Sequence, residues 1–250
     1  MRTLIAANWK MFKTRAEAQQ TARDLVSLLQ NDWPQERDVL LFAPFTALAA
    51  TAEAVADSPV AVGAQDVYPA AEGAFTGEVS PGMILDCGAS WVLAGHSERR
   101  HILGESPAFV GRKAAFALES GLSVMLCIGE TLEEREADKL EIVLRTQLEQ
   151  AVRGLSAEAC LKGLAIAYEP VWAIGTGKVA SEADILEAHA MVRNILGVIL
   201  GSTAGSLPIL YGGSVKPENA SAILALDNVN GLLVGGASLR AESFSKIIRA

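Results

Sequence analysis

Short, almost continuously apolar runs alternate along the chain with longer stretches of helical periodicity. Leu4-Ile5-Ala6-Ala7 is the first run, and residues 15–30 follow it with Ala22, Leu25, Val26 and Leu29 on one helical face. The apolar run recurs at residues 39–42, 60–65, 91–95, 124–129, 164–167, 207–211 and 231–234. Between the runs, helices are predicted over residues 46–56, 81–87, 107–119, 131–152, 182–200 and 217–226, and a last one closes at Ala250. Strands that lack polar alternation are what a parallel sheet covered on both faces requires. Eight βα units of similar length, with no inserted second domain, predict an α/β chain whose residues 1–250 form a single (β/α)8 barrel. An open, doubly wound sheet is the alternative.

In a closed barrel the C-terminal ends of all strands meet on one rim, where an active site belongs. The first strand delivers Asn8 and Lys10, the fourth His96 and Glu98, and the sixth Glu169. The seventh ends in Gly212-Gly213-Ser214 and the eighth in Gly235-Gly236. Gly-Gly turns after the last two strands suit phosphate, because backbone N–H groups and a helix start supply the donors. Lys10, opposite them, fits an electrostatic clamp. His96 opens a helical turn whose dipole disfavours the cationic ring, so a neutral imidazole can polarise a carbonyl. Glu169 is followed by a stiff apolar start, Pro170 to Trp172, and a glycine-rich far end through Lys178, the make-up of a loop that swings as a unit. Taken singly, each residue has a plain reading: a surface charge, a structural histidine, a capping carboxylate, a tight turn. Their convergence favours the chemical one.

Gly175-Thr176-Gly177-Lys178 is not a P-loop, since Trp172 and Val179 stand where glycine and Ser/Thr are needed. Nor is it a dinucleotide fingerprint, because about six residues separate it from the strand end.

Charge narrows the partners. A formal net charge of −8 argues against nucleic acid. It leaves room for a small anion, because exposed charges beyond about 10 Å are largely screened. Cys87, Cys127 and Cys160 are widely spaced with no C-x-x-C pair, which fits free thiols in a reducing, cytoplasmic setting. His96, His101 and His189 form no i, i+4 pair, so no metal site is predicted. Asn8 and Lys10 cut off the N-terminal run before a signal-peptide core forms, and no run approaches the roughly 18 residues of a membrane span. The long connection over residues 66–79 carries Tyr68 and Phe75, which either pack locally or dock on another subunit.

Seven segments together closely resemble the triosephosphate isomerase family over the whole chain. They are Ala7-Asn8-Trp9-Lys10, Gly73-Ala74-Phe75-Thr76-Gly77-Glu78, Ala94-Gly95-His96-Ser97-Glu98-Arg99-Arg100 and Cys127-Ile128-Gly129-Glu130. Tyr168 to Lys178, Tyr211-Gly212-Gly213-Ser214 and Val234-Gly235-Gly236-Ala237-Ser238 complete the set. The resemblance implies a TIM barrel that interconverts dihydroxyacetone phosphate and glyceraldehyde 3-phosphate through an enediol(ate), in glycolysis and gluconeogenesis, without a cofactor. It implies Glu169 as the base, His96 as the neutral electrophile, and Lys10 and Asn8 as the groups that hold the substrate. Gly175, Ser214, Gly235 and Gly236 would be phosphate donors, Tyr211 a latch for the closed loop, and Glu98 and Cys127 supporting groups. It also implies a homodimer in which Tyr68, Phe75 and Thr76 reach the neighbour's Lys10. Another sugar-phosphate epimerase or lyase, or a non-catalytic barrel that binds a phosphometabolite, is the competing expectation. Three positions depart from the family's pattern: Asp66 for Asn, Asn230 for Asp (with an ion pair to Arg193 expected to be missing), and Val179 for Thr.

Overall fold

The computed structural model describes residues 2–174 and 178–250. Its strands are all parallel and follow chain order around a closed barrel. They are β1 (Thr3–Asn8), β2 (Arg37–Ala43), β3 (Val60–Ala64), β4 (Trp91–Ala94), β5 (Ser123–Ile128), β6 (Leu164–Tyr168), β7 (Ile209–Tyr211) and β8 (Gly231–Val234). β1 pairs with β8 from Leu4 opposite Gly231 to Ala7 opposite Val234, which closes the ring and removes the open-sheet alternative.

The runs are apolar throughout because both faces of each strand are covered. One set of alternate residues, including Ala6, Phe42, Leu93, Met125, Ala167 and Leu210, fills the barrel interior. The other set, including Ile5, Leu41, Val124, Ile166 and Leu232, belongs to the core shared with the helices. The helix Arg15–Leu29 starts at a Thr14–Glu17 capping box and buries Ala18, Ala22, Leu25 and Leu29.

The helical pattern over residues 131–152 is two helices, Leu132–Glu136 and Leu140–Val152, because Asp138 adopts a left-handed φ of 56° between them. A further helix, Ala157–Gly163, precedes β6 and was not predicted. β7 begins at Ile209 rather than at Leu207, since Pro208 has no N–H to pair. After it, the helix Ala220–Leu224 is shorter than the predicted 217–226. The region Glu182–Ser206 also corrects an expectation, for by length and composition it is apolar enough to cross a membrane, its most apolar 18 residues having a mean hydropathy of 1.2. Its helix, Glu182–Leu200, instead lays Ile185, Ala188, Val192 and Leu196 against the barrel. Arg193 from the same helix donates to the Ala204 and Leu207 carbonyls.

Two of the family departures find partners. Asp66 is buried and accepts from Lys113 Nζ at 2.7 and 2.8 Å, with Arg99 Nη2 at 2.8 Å, so the extra charge is paired inside the fold. Burial raises its pKa, and the two cations oppose that. Asn230 Oδ1 accepts from Arg193 Nη2 at 2.7 Å, so the ion pair is missing as expected and a hydrogen bond from the guanidinium to a neutral amide stands in its place.

Candidate active site

The rim is built by carrying each strand's inward alternation to its last pairing or one step past it. Leu4 and Ala6 lead to Asn8, Ala165 and Ala167 to Glu169, Met125 and Cys127 to Gly129, Leu210 to Gly212, and Leu233 to Gly235. Asn8, Glu169, Gly212 and Gly235 line one cavity of about 550 Å³, together with Lys10, His96, Gly213, Ser214 and Gly236. Another cavity of about 510 Å³ lies against β3, lined mainly by small apolar groups with Glu53, Asp86 and Cys87, and it contains none of the rim residues.

Glu169 is only 2 % exposed. Its Oε2 accepts from the Ser97 N–H at 2.9 Å, and its Oε1 lies 3.0 Å from His96 Nε2. Burial alone would raise its pKa; the ring beside it, the Ser97 amide and the Lys10 ammonium outweigh that and hold it below the ordinary carboxylate value. The carboxylate is therefore ionised where it rests.

His96 sits at the N-cap of the helix Ser97–His101, and its Nδ1 accepts from the Glu98 N–H at 3.3 Å. That bond assigns the ring hydrogen to Nε2, facing Glu169. Gly95 turns the chain there with a φ of 70°, where a Cβ would press on Val110 and Arg100. Burial disfavours charge on the ring, but ionised Glu169 and nearby Glu98 draw its pKa above the ordinary histidine value, with Lys10 opposing. The upward pull depends first on where the Glu169 carboxylate stands.

Lys10 has a left-handed φ of 52°, a costly backbone for a residue with a side chain. Its N–H donates to Asn8 Oδ1 at 2.9 Å, and its carbonyl accepts from Gln65 Nε2 at 2.9 Å. These bonds hold the turn and direct Nζ to Glu98 Oε1 at 2.6 Å. The strain is thus tied to an ammonium at the cavity wall.

Of the four rim glycines, Gly212 and Gly213 leave no room for a Cβ, whereas Gly235 and Gly236 do. A Cβ on Gly212 would meet Glu169 Cγ at 2.9 Å, and one on Gly213 would meet Tyr211 Oη at 2.2 Å. Gly236 would meet nothing within 4 Å, which leaves its backbone open to the cavity. The first pair makes room for Glu169 and Tyr211; the second leaves space for a ligand.

The remaining predicted residues lie further out. Cys127 is buried, and burial together with Glu169 pushes its thiol well above the usual range, so it is neutral. Burial also moves the Tyr211 hydroxyl up to about 12. Tyr68 and Phe75 stack on each other with centroids 4.4 Å apart, away from the cavity, while Phe75 and Thr76 stay exposed. Gly175 and the loop centre through Gly177 lie outside the described residues. At the loop's start, Trp172 Nε1 donates to Glu130 Oε1 at 2.8 Å, beside Tyr168 Oη at 3.0 Å.

The Ser97 amide is invisible in the sequence, because a backbone donor carries no side-chain signature. Gln147 was also missed, although a polar residue between Leu144 and Leu148 on a buried helix face was a readable anomaly.

The family model described as triosephosphate isomerase matches residues 3–250. A triosephosphate isomerase of Oleidesulfovibrio alaskensis is 61 % identical, and one of Nitratidesulfovibrio vulgaris (strain DSM 19637 / Miyazaki F) is 58 % identical, each over the full length of both chains. One of Lawsonia intracellularis is 55 % identical over the whole of this chain and 98 % of its own length.

Proposed function

The chain belongs to the triosephosphate isomerase family, and we propose the following residue roles for the interconversion of dihydroxyacetone phosphate and glyceraldehyde 3-phosphate. The observation that carries them is Glu169 Oε1 at 3.0 Å from His96 Nε2, on the wall of a cavity that also holds the two glycine turns.

Glu169 removes a proton from the carbon beside the substrate carbonyl and returns it to the neighbouring carbon. Its ionised state and burial support that role. To reach substrate it leaves the Ser97 amide and the imidazole. The chief pull raising the His96 pKa then goes, and burial and Lys10 remain to favour the neutral ring. The free Nε2–H can donate to the substrate oxygens, in keeping with the family's recognised neutral histidine. Lys10 and Asn8 stabilise the charge that develops there. Backbone donors at Ser214, Gly235 and Gly236 hold the phosphate, and Gly175 belongs to the same proposal.

The segment from Pro170 to Lys178 is the lid, as in the family, with Tyr211 as its latch. Closure keeps water from an enediolate that would otherwise expel its phosphate. Glu98 supports by holding Lys10, and Cys127 by filling the floor beneath Glu169.

The chain is read as one domain acting as a cytoplasmic homodimer. Exposed Met11, Phe75, Met83, Ile102 and Leu103 support a subunit contact, and the net charge supports the absence of nucleic-acid partners. A phosphometabolite-binding scaffold could keep the glycine turns but would have no use for Glu169 against His96. Incubation with dihydroxyacetone phosphate in deuterated water tests the proposal. Deuterium on the substrate carbon is expected, and its absence would leave only the binding scaffold.

A further inference from the structure

We propose that Gln147 is a positioning residue for Glu169, acting through the Gly129 peptide. The inference rests on the reading of Glu169 as the base.

Gln147 lies on the buried face of the helix Leu140–Val152 and is itself buried. Its Oε1 accepts from the Gly129 N–H at 2.8 Å, and its Nε2 donates to the Gly129 carbonyl at 3.0 Å. One side chain thus makes the pair of bonds that a neighbouring strand residue would make. β5 has ended at Ile128, so the buried Gly129 groups need this partner.

The residues on either side of Gly129 face the other way, toward β6. The Glu169 N–H donates to the Ile128 carbonyl at 2.7 Å, and the Val171 N–H to the Glu130 carbonyl at 3.1 Å. Gly129 itself is pressed so close that a Cβ would stand 1.8 Å from the Glu169 carbonyl oxygen. Glu130, next in the strip, holds both Tyr168 Oη and Trp172 Nε1. Residues 128–130 are therefore a platform carrying the base's backbone on one edge and the lid's first turn on its last residue. Gln147 is the clamp on its far edge. Among the described residues, the turns after β7 and β8 make no hydrogen bond to residues 128–130, so loss of the clamp displaces the base and leaves the phosphate donors at Ser214, Gly235 and Gly236 in place.

Gln147→Glu separates positioning from packing. A protonated carboxyl has the same donor and acceptor as the amide, whereas the carboxylate presents oxygen to the Gly129 carbonyl. Burial places the changeover above the ordinary glutamate value of about 4.3. The ionisable groups on the platform and beside it are Glu130, Glu169, Tyr168, Arg135, whose charge acts on Glu130 and Tyr168, and Arg100, whose guanidinium donates to the Cys127 carbonyl at 2.9 Å. They are common to parent and variant, so they cancel in a ratio.

The kcat of Gln147→Glu relative to the parent is expected to approach one near pH 5. It should fall on the order of 10²-fold by pH 8, as a misplacement of about 1 Å allows. Inhibition by inorganic phosphate should stay unchanged at each pH. Gln147→Met should show the lowered kcat at every pH, again with unchanged phosphate inhibition. A Gln147→Glu ratio that does not vary with pH would overturn the proposal, as would weakening of phosphate inhibition in step with kcat. A parent protein that exchanges no solvent hydrogen would instead remove the reading of Glu169 as base, whatever the variants do.

Discussion

His96 Nε2 and Glu169 Oε1 are 3.0 Å apart although their strands, β4 and β6, are separated in the sheet by β5. The contact reaches across the end of β5, where the chain has shrunk to Gly129. With no side chain there, the Glu169 backbone closes onto the strip and its carboxylate reaches the imidazole.

Gly129→Ala tests that dependence. The new methyl would stand 1.8 Å from the Glu169 carbonyl oxygen, and backbone cannot yield as a flexible side chain does. A displacement of about 1 Å in the base is expected to lower kcat/KM on the order of 10²-fold. Steady-state kinetics beside a thermal melt measures this, and a variant with parental kcat/KM would contradict the packing described.

Most of the fold was legible because each strand is apolar on both faces, and only a covered parallel sheet asks for that. The rim was legible for the same reason: Asn8 and Glu169 are the first polar residues to continue an inward series. Helix boundaries failed where one backbone angle decided them, as at Asp138. The site's second layer was hidden for a different reason. Ser97 acts through its amide and Gln147 through a peptide, and neither bond exists until the barrel has brought distant turns together. The departures could not be weighed from sequence either, since Asp66 becomes harmless only once Lys113 and Arg99 surround it.

His189 should make stability depend on pH. It is fully buried, its Nδ1 donates to the Asn228 carbonyl at 3.0 Å, and burial lowers its pKa to about 4 from 6.5. The unfolded chain thus binds the proton more readily, so the contribution is complete above pH 6.5 and is lost as pH falls toward 4. The difference amounts to about 3 kcal/mol at most. Urea titrations of the parent and of His189→Gln, compared at pH 7 and pH 4, should show the parent losing more stability on acidification. Equal losses would contradict the assignment.

Asn230→Asp should stabilise the fold. Arg193 is partly buried, which lowers its pKa, and its Nη2 now meets only a neutral amide oxygen. A carboxylate at the same place turns that charge-to-amide bond into an ion pair, a gain of about 1 kcal/mol at neutral pH. The new group's pKa would be depressed by Arg193, so the gain should be present above about pH 4 and vanish as pH falls further. Denaturant midpoints at pH 7 and pH 3 check both signs; an unchanged or lower midpoint at pH 7 would contradict this account of Arg193.

The most direct test of the central claim is kcat/KM for Glu169→Asp with dihydroxyacetone phosphate. Shortening the side chain by one methylene keeps the charge but withdraws the carboxylate by roughly 1 Å. If Glu169 moves the proton, the value falls on the order of 10²-fold while phosphate inhibition is preserved. Turnover at the parental rate would show that another group is the base.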